Sequence, residues 1–282
     1  MGGAMNWLYH NRAIFPDCYP HEEPQVQTVP WKEFPHAQMA RWTTDFDCGH
    51  KTQWWYCIKD SAFDLAALNA KRRYEINKGN RNFETRLIDP AQHRDELYAV
   101  YENSLLGYDP GDRPQVSKKQ FDAKIDNWNS IPEARIFGVF DRESGALCGY
   151  ADVYERGRYL PISSMKTRVD CEKRNVNFAL VYGILIHYER QLSSTLTPGG
   201  GYYLCDGQRN IRHQTNFQEF LVKYFGFRYA YCTLHVAYRG PMKLAVRLLY
   251  PFRRMLEGAK DCRIKMIASV LRQEELARSF RK

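Results

Sequence analysis

The sequence predicts a mixed α/β (α+β) chain in which a largely antiparallel central sheet is flanked by helices. Three observations carry this. Residues 134–169 read as successive strands broken by tight turns, segments of helical period lie on either side of them, and residues 202–238 run strand, polar turn, helix, strand. A length of 282 residues with 44% hydrophobic and 14% aromatic residues is enough to bury a core and places the chain among globular proteins.

Residues 1–52 are rich in Pro, His and aromatics without a clear period, and the prolines between 16 and 30 forbid a long helix, so an irregular arm is expected there. QWWYCIKD (53–60) reads as a strand. AFDLAALNAKRRYEINKGN (62–80) reads as a helix with Asp64 in its first turn and Gly79 as its stop. FETRLI (83–88) alternates as a strand, and PAQHRDELYAVYENSLLGY (90–108) carries Leu97, Val100, Tyr101, Ser104 and Leu105 at helical offsets. DPGDRP (109–114) is a loop by composition, and Ser117 is a candidate cap for the helix that follows.

ARIFGVFD, ALCGYADVYE and RYLPISSMKTRV form the meander. In NVNFALVYGILIHYERQL (175–192), Phe178, Val181, Leu185 and Tyr188 mark a buried helix face. YYLCD is a short strand, NFQEFLVKYF a helix stopped by Gly226, and RYAYCTLHVAY a last strand. From Pro241 the chain reads as short basic amphipathic helices broken at Pro251. The expected organisation is therefore an arm (1–52), a central domain (53–240) and a basic helical extension (241–282).

The net charge of +9 is concentrated. Residues 239–282 hold 12 Lys/Arg against 4 Asp/Glu, and residues 71–86 hold 6 against 2, leaving the remainder slightly acidic. Such segments suit an anionic partner, an RNA or an acidic membrane surface, although solvated basic helix faces explain the same pattern. No run of about 18 apolar residues occurs, and MGGAMNWLYHNRAIF lacks the apolar core of a secretory signal, so a cytoplasmic protein is expected. The eight cysteines are scattered without a C-x-x-C pair and read as reduced thiols. Cys18, His21, Cys48, His50 and Cys57 match no zinc-module spacing, and no metal is expected. No G-x-S-x-G, H-E-x-x-H, Walker loop or G-x-G-x-x-G points to a hydrolase, protease, kinase or dehydrogenase.

The element order, together with KRRYEINKGNRNFETRLI (71–88) and YYLCDG…TNFQEFLVKYFGFR (202–228), resembles the acyl-CoA N-acyltransferase (GNAT) superfamily, and within it the Fem-type aminoacyltransferase and related acetyltransferase branch. The resemblance covers residues 53–240 and leaves the arm and the tail unexplained. It implies an N-acyltransferase that moves an acetyl or aminoacyl group from acyl-CoA, or alternatively from aminoacyl-tRNA, to an amine of a small metabolite, amino sugar or cell-envelope precursor. An RNA would then be a transient donor, with no stable nucleic-acid complex, and the tail would make at most a peripheral contact with an anionic membrane.

In that fold two strands splay, and the next helix offers its N-terminus to a pyrophosphate. Lys166, Arg168, Lys173, Arg174 and Asn175 surround the expected helix start, and Asn216 opens the later helix; these six are the candidate cofactor contacts. VDCEKRNVNFA, however, holds no glycine where members that use coenzyme A carry a Gly-rich loop. The polar turn after YYLCD would face the reacting centre, making Asp206 and His213 the candidate proton acceptors and Tyr203 (or Tyr202) the candidate donor, with Glu155 a weaker candidate. Helix capping by Asn210 or Thr215 is the plain structural explanation of the same cluster. The rival from another class is a non-catalytic protein of the same fold that docks through its tail on RNA, membrane or protein. An enzyme needs an open cleft between the strands near Met165 and Leu204.

Overall fold

A computed structural model describes residues 5–108, 113–194, 200–211, 216–256 and 261–280, the side chains of residues 262 and 263 excepted. Along the chain run β1 (Trp7–His10), β2 (Ala13–Pro16), β3 (Met39–Thr44), β4 (Trp54–Lys59), α1 (Ala70–Asn82), β5 (Phe83–Leu87), α2 (Arg94–Ser104), α3 (Lys118–Ser130), β6 (Ala134–Asp141), β7 (Leu147–Tyr154) and β8 (Tyr159–Thr167). There follow α4 (Val176–His187), α5 (Glu189–Leu192), β9 (Tyr203–Gln208), α6 (Phe217–Phe225), β10 (Arg228–Tyr238), α7 (Gly240–Leu249), α8 (Arg253–Leu256) and α9 (Cys262–Arg278). The chain divides into two compact units, the first made of residues 1–57, 208–216 and 229–282, the second of residues 58–207 and 217–228.

In the first unit the strands lie in the order β1, β2, β3, β10. The segment expected to be irregular thus supplies three strands. Asn11 and Arg12, both with positive φ (48° and 62°), make the tight β1–β2 turn. Six residues of β3 pair antiparallel with Thr233–Tyr238 of β10. MARWTT has too short an alternation to announce a strand, so its state is set by that distant partner. Ile14, Ala37 and Ala40 form a small core under Trp7, Trp31, Phe34 and Trp42.

The basic extension folds through ion pairs. Arg253 pairs with Glu275 at 2.9 Å and Arg278 with Glu274 at 2.8 Å, while both guanidinium groups lie over the Tyr250 ring. Leu244, Leu248, Phe252 and Met255 remain exposed on it. Among the described residues no helix is long and apolar enough to cross a membrane.

In the second unit the strands lie in the order β9, β8, β7, β6, β5; β5 to β8 pair antiparallel and β8 with β9 parallel. One face carries α2 and α3, whose Leu97, Val100, Phe121, Ile125 and Trp128 pack on Ile136, Phe140, Leu147 and Tyr150. Each such side chain contributes about 1.5–3 kcal/mol on full burial. Ser117 caps α3 in a reciprocal capping box with Gln120, as its position predicts.

On the other face α4 packs on α1, β5 and β6, and Phe178 of α4 meets Phe220 and Tyr224 of α6 with ring centroids 4.9 and 4.8 Å apart. Val181, Leu185 and Tyr188 are buried as the periodicity predicts. Gly226, at φ +67°, ends α6.

Helix α1 departs from expectation at both ends. It begins only at Ala70, because Asn69 caps it by accepting from the Arg72 N–H, whereas Asp64 accepts from the Ala66 N–H in a turn upstream. Gly79 does not stop it. A Cβ there would meet the Asn175 carbonyl oxygen at 2.7 Å, so the glycine is what lets α1 approach the start of α4.

Candidate active site

The second unit's sheet opens between β8 and β9. Their parallel pairing is confined to Tyr159↔Tyr203, Leu160↔Leu204 and Pro161↔Cys205. β8 nevertheless continues to Thr167, held by β7 as far as Gly149↔Thr167. The register of β7 on β8 shifts where Asp152 opposes Ser164 and Val153 opposes Ile162, so Ser163 is an extra residue. A bulge of this kind bends its strand and increases the local twist, which turns the end of β8 away from β9. Of the two residues expected to flank the opening, Leu204 is fully buried and Met165 half-buried.

Asp206 is the first residue of β9 beyond the last registered pair, followed by Gly207 at φ +94°. Its half-buried carboxylate accepts a hydrogen bond from the Gln218 side chain in the first turn of α6. Burial pushes its pKa up to about 7, against the smaller opposing effect of that hydrogen bond. A carboxyl group titrating near neutrality can both accept and return a proton at working pH.

The residues proposed beside it are placed otherwise. Successive strand residues point to opposite faces, so Tyr203 and Cys205 lie across β9 from Leu204 and Asp206. Tyr203 is buried with its ring centroid 5.5 Å from that of Tyr159, and the Tyr159 hydroxyl bonds the Cys205 thiol, whose pKa burial pushes up to about 12. Tyr203 is therefore not brought to Asp206. His213 lies outside the described residues. Asn216 is exposed just before α6. Glu155 is held by Arg135 at 2.6 Å and by the Tyr188 hydroxyl at 3.3 Å.

The link from β8 to α4 is built from internal pairs. Arg168 grips Asp170 through Nε (3.0 Å) and Nη2 (2.6 Å). Arg174 binds the buried carboxylate of Asp141, which also accepts from the Glu143 and Ser144 N–H groups. Burial alone would raise the Asp141 pKa, but those donors outweigh it and hold the group below the ordinary carboxylate range. Asn175, at φ +68°, is 8% exposed and donates through Nδ2 to the Glu75 carbonyl (2.9 Å) and carboxylate (2.7 Å). Lys173 is exposed, and its carbonyl accepts from Lys78 Nζ at 2.8 Å.

Lys166 is drawn to the opposite face, where Nζ donates to the Tyr108 hydroxyl at 2.7 Å. Beside it Lys124 of α3 donates to Ser164 Oγ at 3.2 Å with its ammonium 4.6 Å from the Trp128 ring centre. Ser164 Oγ in turn bonds Asp152, which is 1% exposed and also accepts from Trp128 Nε1 at 3.3 Å. Burial lowers the Lys124 pKa; Asp152 opposes that shift and Lys166 adds to it. Sequence reasoning missed Lys124, Asp152 and Ser164. They stand on three different elements with no common spacing, and the bulge that turns Ser164 toward Asp152 has no sequence mark.

Comparison with solved structures gives the frame. Over 86% of this chain and 83% of the other, the structure superposes with a TM-score of 0.53 and 14% identity on the C-terminal DUF2156 domain of a protein from Agrobacterium fabrum assigned as a lysylphosphatidylglycerol synthetase. The fold is GNAT-like. L-PGS from Bacillus licheniformis is similar over 89% of this chain and 85% of that one, with a TM-score of 0.47 and 14% identity. FemX is similar over 69% and 63%, with a TM-score of 0.49 and 10% identity. No protein-family model matches the sequence, and no curated protein does.

In a GNAT-like frame the β8–α4 link is where a coenzyme A pyrophosphate would lie, and its residues fit that group poorly. Arg168 directs Nε and Nη2 to Asp170, Arg174 directs Nη1 to Asp141, and Asn175 directs Nδ2 to Glu75. The Glu75 carboxylate stands next to the start of α4, where it opposes a second anion. Among the described residues no three His, Cys, Asp or Glu side chains gather as a metal site would require.

Proposed function

We propose that this protein transfers an acyl group, in the first instance an aminoacyl group, from an activated ester to an amine at the opening between β8 and β9. The observation that carries the reading is Asp206, a carboxyl group raised to about 7 at the point where the two strands part. In this reading the Asp206 carboxylate takes a proton from the acceptor amine as its nitrogen attacks the carbonyl carbon. The C–N bond forms, the tetrahedral intermediate collapses, the C–O bond breaks, and the Asp206 carboxylic acid returns its proton to the departing oxygen. Asp206 so ends as it began, and no metal or redox partner is required.

Two observations favour an RNA-borne aminoacyl ester over acyl-CoA as the donor. In the β8–α4 link Arg168, Arg174 and Asn175 direct donors to Asp170, Asp141 and Glu75, which leaves Lys173 as its exposed cation. Helix α1 presents Lys71, Arg73 and Arg81 to solvent beside an exposed Tyr74, with the Arg81 guanidinium over that ring, a combination suited to phosphates and an unstacked base. The acceptor we propose is a small amine, an amino sugar or a cell-envelope precursor. The exposed Leu244, Leu248, Phe252 and Met255 on a basic extension favour a peripheral contact with an anionic membrane as part of the same reading.

The test is a donor-consumption assay with aminoacyl-tRNA and, separately, acetyl-CoA, each with and without a panel of amines. Amine-dependent loss of the aminoacyl ester, reduced at least about 100-fold in Asp206→Asn, is the expected result. Consumption of acetyl-CoA alone would overturn the donor assignment. Transfer that is indifferent to Asp206→Asn would overturn the site.

A further inference from the structure

The first unit holds an open cavity of about 430 Å³ that faces solvent, lined by Arg41, Gln208, Arg209, Asn210, Ile211, Ser269 and Gln273. Its size falls within the roughly 300–1,000 Å³ of small-molecule sites. Arg41 projects from β3 with its guanidinium 5.0 Å from the Phe15 ring centre and 5.6 Å from that of Trp54. Nη1 donates to Gln273 Oε1 at 3.2 Å, but Nε is sealed from solvent and has no hydrogen-bond partner among the described residues.

Among the described residues no acidic side chain lines the cavity, and the group that acts on Arg41 electrostatically is the Tyr56 hydroxyl. A guanidinium cannot escape burial by releasing its proton, so a half-buried Arg with no acidic partner among the described residues is destabilising unless something supplies a counter-charge. Stacking on two aromatic rings offsets part of that cost and fixes the plane of the fork.

A second guanidinium is aimed at the same space. Arg209 lies with its charge 4.5 Å from the Trp55 ring centre and is tethered through Nη1 to the Gln53 carbonyl at 2.6 Å. Arg272 stands near enough to act on it electrostatically, so like charges are brought together here. The remaining polar lining is neutral: Gln208, anchored to the Tyr56 hydroxyl at 2.7 Å, with Asn210, Ser269 and Gln273. Two fixed guanidinium groups, three amides and a hydroxyl around one space are the donor set of an oxyanion site.

We infer that this cavity binds the phosphate group of a small phosphate ester, with the half-buried Arg41 as the anchor and Arg209 closing on the opposite oxygens. The same phosphate could arrive on a soluble metabolite or on a phospholipid headgroup, and the experiment separates the two. The inference does not depend on the acyl-transfer reading, since it uses neither Asp206 nor any residue of β8.

The test measures thermal shift and calorimetric binding on the full chain, with inorganic phosphate, glycerol 3-phosphate, glycerol as the uncharged control, and vesicles of phosphatidylglycerol or phosphatidylcholine. Variants are Arg41→Met, which keeps the apolar stem between the rings, and Arg209→Met. Glycerol 3-phosphate should raise Tm saturably while glycerol does not, and Arg209→Met should weaken that binding at least about tenfold. Arg41→Met should have a higher Tm than the parent without ligand and no response to phosphate, a combination that mere loss of packing would not give.

Asp206→Asn should respond to phosphate like the parent, which keeps this test separate from that of the transfer reaction. A response to phosphatidylglycerol vesicles that Arg209→Met abolishes, without one to the soluble ester, assigns the headgroup. The absence of any saturable response to phosphate, ester or vesicle overturns the inference. So does a response unchanged in Arg209→Met, even if Arg41→Met fails to fold.

Discussion

Replacing Asp206 by Asn should stabilise the folded protein at alkaline pH while disabling transfer, and the size of the first effect follows from the structure. In the unfolded chain this carboxyl titrates near 4; in the folded protein it titrates at about 7 because the half-buried site disfavours the charge. The folded pKa is raised, so the folded state holds the proton more tightly, and the stability that this contributes is present below about pH 4 and is lost as pH rises toward 7. Three pH units at 1.36 kcal/mol each set a ceiling of about 4 kcal/mol, and residual solvent contact brings the expectation to about 2–4 kcal/mol.

An asparagine of the same shape keeps a hydrogen bond to Gln218 and never ionises. The stability difference between variant and parent should therefore be small at pH 4, grow through pH 5 and 6, and level off above pH 7.5. Urea denaturation of both proteins at five pH values, with unchanged m, reads it directly. Parallel stability curves across that range would refute the reasoning, since they would mean that Asp206 ionises as it does in water. In the parent, kcat/KM for transfer should rise with pH to an apparent pKa near 7.

Arg174→Ala should cost about 1–3 kcal/mol at neutral pH by leaving the buried Asp141 carboxylate on its two backbone donors alone, and Asp141→Asn in the same chain should recover much of it. The loss should shrink as pH falls through the lowered pKa of Asp141, which a denaturation series below pH 4 would show. Gly79→Ala should destabilise by about 1–3 kcal/mol, because the added methyl meets the Asn175 carbonyl and pushes α1 from α4; a neutral substitution, read as an unchanged Tm, would contradict that packing. In co-sedimentation with vesicles, Leu248→Glu with Phe252→Glu should lower binding to anionic lipid at least about tenfold at moderate salt while leaving Tm unchanged, since both side chains are more than half exposed.

Much of the second unit is legible in the sequence because its information is local. The strand ARIFGVFD coincides with β6, Ser117 caps α3, and Gly226 ends α6, each by turn, cap or alternation chemistry confined to neighbouring residues. Asp206 is legible as a candidate for the same reason: a carboxylate directly after the apolar run YYLC marks where the strand leaves its apolar surroundings. What the residues could not reveal was how their donors would be spent. Arg168, Arg174 and Asn175 look free in RVDCEKRN, yet each is claimed by an acid, and for Arg174 and Asn175 that acid stands 33 and 100 residues away. The strand character of residues 39–44 likewise depends on β10, almost 200 residues on.

The sequence by itself determined the element order, the strand–turn–helix around Asp206 and the concentration of positive charge in two segments, because periodicity, caps and composition act over a few residues. Only the tertiary structure decided that Tyr203 turns away from Asp206, that the Asp206 carboxyl titrates near neutrality, and that Arg41 Nε is sealed beside a cavity with no acidic lining among the described residues. Burial and pairing depend on which distant residues share a volume, and a carboxylate or guanidinium acquires its chemistry from that volume rather than from its neighbours in the chain.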